Sequence, residues 1–144
     1  MPPLSSLTIT LSSTTVPAME IISTLLQAGW KVDTDGLIHF LPLGDKDAFA
    51  WTTRSVNDVQ IVFDIMKKKE EAGEIIGLDL FWEDGCGFDI LFHSREKISF
   101  LLDIYRKTLE EDPRLTDVNW YLIRIIAPLL SARIPIEFIE WDYI

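Results

Sequence analysis

Three alternating runs constrain this chain more than any other feature: IIGLDLFW, GFDILFH and KISFLLDIY, separated only by EDGCG and SREK. Apolar residues recur at every second position, the period of a strand with a buried face. Breaks this short suit antiparallel neighbours, whereas a parallel crossover needs a dozen residues or more. The middle of the chain therefore reads as an antiparallel meander.

The flanks supply helices and further strands. LSSLTITLS (4–12) alternates polar and β-favouring residues, an opening strand suited to a sheet edge. In TTVPAMEIISTLLQAG, Thr14 or Thr15 can cap, Pro17 fits the first turn, and Ile21, Ile22, Leu25 and Leu26 form a stripe that Gly29 ends. WKV, the turn DTDG and LIHFLPL give a hairpin signal, with LIHFLPL expected to be buried on both faces. A short strand follows in GDKDAFAWTTRS. Ser55 or Asn57 then caps a helix whose Val59, Val62, Phe63 and Met66 recur at helical spacing up to Gly73. Glu70 and Glu71 in its last turn oppose the macrodipole, so that tail is expected to fray. Beyond a charged connector with Asp112-Pro113, Thr116 is placed to cap a third helix. Its face carries Val118, Leu122, Ile126 and Leu129, with Tyr121 and Ile125 beside them, and Pro128 predicts a kink. IPIEFIEWDYI closes the chain as a strand. Helices set between hairpins, without steady strand–helix alternation, predict an α+β single domain over 1–144. We expect an antiparallel or mixed sheet of about six strands with three helices.

Charge narrows the function classes. Twenty-three acidic against 13 basic residues give a formal charge of −10. Nucleic-acid binding needs Lys and Arg to neutralise phosphates, so direct nucleic-acid binding is not expected and a basic protein partner is. LIHFLPL and the other apolar runs fall far short of the roughly 20 residues of a membrane span. MPPLSSLTIT lacks the basic start of a signal peptide. A soluble cytoplasmic chain without a membrane partner is expected, and a single cysteine, which cannot form an internal disulfide, fits a reducing compartment.

The stretch FWEDGCGFDILFH holds the only cysteine and one of two histidines. A zinc site on Cys86 and His93 would need two more ligands, and the other histidine, His39, lies on a different hairpin; no metal or cofactor is expected. A catalytic thiol needs a positive setting, whereas Glu83, Asp84 and Asp89 are its sequence neighbours. Gly85 and Gly87 instead put Cys86 in or beside a hairpin turn or bulge. No P-loop, dinucleotide fingerprint or nucleophile elbow is present, and Asp33/Asp35 and Asp45/Asp47 suit turns beside Gly36 and Gly44 better than a carboxylate pair for glycoside chemistry. No catalytic residue is assigned, and the chain is not expected to be an enzyme.

The small acidic α+β domain, with DGLIHFLPLGDKDAFAWTTRS and GEIIGLDLFWEDGCGFDILFHSREKISF, resembles an immunity protein of a bacterial polymorphic-toxin system of the contact-dependent growth inhibition kind. The resemblance implies a cytosolic protein that binds a cognate toxin domain, often a nuclease, and blocks its active site or substrate access. It carries no particular binding residue across. Candidate toxin-binding residues come from the acidic loops: Asp33 and Asp35, Asp45 and Asp47, Glu83 and Asp84, with Asp89 beyond them. A secretion chaperone or adaptor for an effector is the alternative reading, and a small enzyme with an unfamiliar site the weaker one.

Overall fold

The structure, a computed structural model, describes residues 5–13, 15–46 and 48–143. Its strands are β1 (Ser6–Leu11), β2 (Leu37–Phe40), β3 (Thr52–Ser55), β4 (Ile76–Phe81), β5 (Gly87–Phe92), β6 (Lys97–Ile104) and β7 (Ile136–Asp142). Two helices, α1 (Ala18–Gln27) and α2 (Val59–Ala72), precede the meander. A third runs from α3 (Val118–Tyr121) through a π-helical stretch (Leu122–Ile126) into α4 (Ala127–Ser131). The fold is the expected α+β domain, with seven strands in one sheet, ordered β3-β2-β4-β5-β6-β1-β7 and antiparallel throughout.

Alternation decides which face is buried. Leu78 and Leu80, Phe88 and Ile90, and Phe100 and Leu102 join Leu7, Ile9, Ile38 and Phe40 in one core. Ile21, Ile22 and Leu25 of α1, Val62 and Met66 of α2, and Tyr121, Ile125 and Leu129 of the third helix pack onto that same face. Each such side chain contributes about 1.5–3 kcal/mol by leaving water. The opposite face carries no helix among the described residues.

Several local expectations are corrected by packing. The opening strand is interior, between β6 and β7, because the closing strand pairs on its outer side. LIHFLPL is not buried on both faces: Ile38 and Phe40 enter the core, Leu37 is exposed and His39 partly so. WKV forms no strand; Lys31 bridges to Phe81 and only Thr34 bridges to Leu37, since Trp30 turns into the core against Trp82, Phe88 and Trp120.

Helix ends also differ from the sequence reading. Pro17 takes the α1 cap position without a side-chain bond, and the Ala18 N–H donates to Glu70 Oε2 at 2.8 Å. The carboxylate unfavourable at the end of α2 therefore satisfies the start of α1, and α2 runs on to Ala72 with Gly73 in the left-handed conformation. Thr14 lies outside the described residues. Asp117, not Thr116, caps the third helix by accepting from the Trp120 N–H, while Thr116 hydrogen-bonds Ser5 and Arg106. Pro128 has no N–H to donate one turn back. The Arg124 carbonyl that such a bond would use accepts the Trp30 indole N–H at 2.8 Å, and the π-helical stretch lies just before the proline.

Candidate interaction site

The uncovered face is built from the alternate positions of the same strands. At its β2–β3 end Leu41 and Trp51 pack down on Gly77, where any Cβ would stand 2.6 Å from Leu41 and 3.0 Å from Trp51. Beyond them no described helix covers the face, although Phe81, Leu91 and Ser99 on it are buried among their neighbours. Asp79 and Asp89 are direct cross-strand partners, and Asp103 lies two residues along β6 from Leu101, the partner of Asp89. Phe40 pairs with Leu78, so the antiparallel register brings His39 beside Asp79. A polar row thus crosses four strands, between Phe81 on one side and Leu91 on the other.

Asp79 and Asp89 are half-buried and Asp103 is exposed, and three carboxyls this close cannot all ionise freely. Burial, then the neighbouring Asp79, pushes Asp89 up to about 8. Burial and Asp89 raise Asp103 to about 7, and burial raises Asp79 as well. One oxygen of Asp79 is shielded from solvent without a hydrogen-bond partner. At neutral pH the row therefore keeps protons, and the face is less negative than the formal −10 implies. Farther along, Glu140 and Asp142 of β7 share this face opposite Thr8 and Ser6, and Lys97 is the one Lys or Arg among its described strand positions.

The acidic loops do not form one surface. The DTDG turn before β2 and the EDGCG turn after β4 lie at one end of the sheet, since Lys31 bridges to Phe81. The GDKD loop, at the far end of β2, lies at the opposite end, where the Gly44 N–H donates to Glu74. Asp33 and Asp35 therefore separate from Asp45; Asp47 lies outside the described residues. Asp33 accepts the Gly36 N–H and Asp45 accepts those of Phe49 and Ala50, so both hold their own turns. Asp35 and Glu83 are exposed, and Asp84 is exposed but ion-paired to Lys107, which keeps it below the usual carboxylate range. Asp89 belongs to the open face. Asp79 and Asp103 were missed because each reads as one polar residue inside a strand; the signal was that all three meander runs carry such an aspartate.

Cys86 lies inside, its Sγ 3.7 Å from the Tyr121 hydroxyl, which accepts the Lys107 N–H. Burial pushes its thiol up, with Asp84 adding to the effect, so the thiolate is disfavoured. Nearby, the Arg124 guanidinium lies 4.3 Å from the Trp120 ring centre and 5.4 Å from that of Trp82, a cation–π stack that closes this end of the core. His93 hydrogen-bonds Ser99 at 3.0 Å and borders a cleft of about 250 Å³ with Glu70, Glu74 and Arg95. Burial lowers its pKa, leaving it neutral at pH 7. Among the described residues no three His, Cys, Asp or Glu side chains are arranged to hold a metal ion, and no helix is long and apolar enough to cross a membrane. Comparison with known protein families, curated proteins and solved structures gave no match.

Proposed function

We propose that this chain is a stoichiometric protein inhibitor of the immunity type, which binds a basic toxin domain in the cytoplasm and covers its active site or substrate path. The observation that carries this reading is the uncovered sheet face. Asp79, Asp89 and Asp103 cross its centre, Glu140 and Asp142 line its margin, and Ser6 and Thr8 of β1 lie between. Such a face is shaped for a broad partner; Glu140 and Asp142 carry its standing negative charge, and the row gains more as cations dock and displace its protons, which suits a partner rich in Lys and Arg. A nuclease domain, whose substrate cleft grips phosphates, is the toxin class with that chemistry. Inhibition by coverage needs no turnover.

The test is titration at fixed concentration of a candidate toxin domain, taken from the product of the adjoining gene, paired with growth rescue by co-expression. Activity should fall linearly to an endpoint near one inhibitor per toxin. Complete neutralisation by a small catalytic fraction, or none at saturating inhibitor, would overturn the reading.

A further inference from the structure

We propose that the outer edge of β7 receives a basic β-strand from the partner, extending the seven-stranded sheet by one. The inference rests on the neutralising reading above and adds where, and through which backbone groups, the partner is held. The backbone register carries it. Leu102 and Leu11 donate their N–H groups to Ser5 and Glu96 across β1–β6, so odd-numbered β1 residues face β6 and even-numbered ones face β7. Thr8 pairs with Glu140 and Thr10 with Phe138, so Glu140 and Phe138 spend their backbone groups on β1. Ile139 and Trp141 then direct theirs outward, where no described residue pairs with them.

The two sheet edges differ. β3 is four residues long and polar, TTRS, and runs straight into a turn of 3₁₀ helix. β7 is seven residues long and contains no Pro; its charges, Glu137, Glu140 and Asp142, are all acidic, and its register shift is confined to the Ile136 end, so the edge is guarded against an acidic strand and not a basic one. It also exposes apolar surface: Phe138 is 60% exposed and Tyr143, just beyond, 69%.

Charge selects the occupant. A second copy would bring three more acids along this edge with no base in either strand to answer them, and crowding like charges on neighbouring strands disfavours the pairing. A strand with Lys or Arg at alternate positions would put its cations beside Glu140 and Asp142 on the open face. Its apolar residues would lie beside Ile139 and Trp141 on the other face.

The experiment uses a ten-residue peptide alternating Lys and Val, its Glu–Val counterpart, and a Lys–Val peptide N-methylated along one edge. Backbone amide NMR of the full chain should place the Lys–Val peptide on 136–142, with Ile139 and Trp141 amides newly protected and binding weakened by salt. The Glu–Val and N-methylated peptides should bind at least tenfold more weakly. Ile139→Pro removes an outward N–H and should abolish binding, whereas Ile139→Ala should largely retain it. Binding elsewhere, indifference to N-methylation, or self-association through β7 would overturn the inference. If Ile139→Pro folds and still neutralises the toxin, the edge inference fails and the neutralising reading stands. If the chain neutralises nothing yet β7 takes the peptide, the reverse holds.

Discussion

Asp89→Asn should stabilise this protein, and more so at higher pH. At about 1.4 kcal/mol per tenfold change in proton affinity, a rise from 3.8 to about 8 sets a ceiling of about 6 kcal/mol on the cost of ionising Asp89 in the fold. Asp89 is partly open to solvent and shares the cost with Asp79 and Asp103, so the recoverable part is about 1–3 kcal/mol. The sign follows from linkage. A carboxyl whose folded pKa is raised supports stability fully below its unfolded value, and that support is lost as pH climbs through the folded value. Wild type should therefore lose stability from about pH 4 to 8, while an amide at 89 stays neutral and donates to both neighbours. Urea unfolding at pH 5, 6, 7, 8 and 9, followed by tryptophan fluorescence, reads the difference between the chains, from which the opposite-signed His93 contribution cancels. The gap should open upward through pH 7 and level off above 8. A gap that does not change with pH, or a variant less stable at every pH, would refute the idea that the row holds protons.

Three further outcomes follow from the packing. Lys69→Ala should cost about 2–3 kcal/mol in chemical denaturation, since the buried ammonium bonds the Pro42 carbonyl at 2.7 Å and Glu74 at 3.1 Å and its loss leaves both without that donor. Trp30→Phe should lower stability by about 1–3 kcal/mol on thermal unfolding, because the Arg124 carbonyl loses its indole donor and the core loses volume. Cys86 should react with a maleimide only at the rate of unfolding, and Cys86→Ser that remains folded should still neutralise the toxin; rapid labelling of the native chain would contradict its burial.

Much of the fold was legible because a period of two fixes both strand and face. The runs ending in Phe81, Phe92 and Ile104 had to form a meander, and their apolar parity had to point at the helices. The Asp79–Asp89 pair was missed, since it needs the turn to be symmetric about Asp84, and EDGCG with its two glycines allows other registers. Asp103 was less accessible: the register shift between Gly87 and Asp89 moves it along β6, and irregularities of that kind leave no pattern in an alternating run. Strand order was illegible for another reason. β1 becomes interior only when residues 136–142 return to its outer side, a pairing between opposite ends of the chain that no local window contains. The same holds for Glu70, whose role at the start of α1 depends on two helices meeting.

The row and its protons connect stability to binding. At the polar-parity positions of β4, β5 and β6 a threonine or asparagine would serve the sheet without the ionisation cost, so three aspartates are more than the fold requires. A Lys or Arg docking over them would favour the carboxylates and release their protons, so part of that cost would return as affinity. Binding should then strengthen as pH rises from 6 to 8 and level off beyond. Asp89→Asn separates the two effects, since it should make the free chain more stable and the complex weaker. If the variant gains stability and binds with wild-type affinity at every pH, the partner does not contact this row, and the open face is a consequence of the sheet and not the site of recognition.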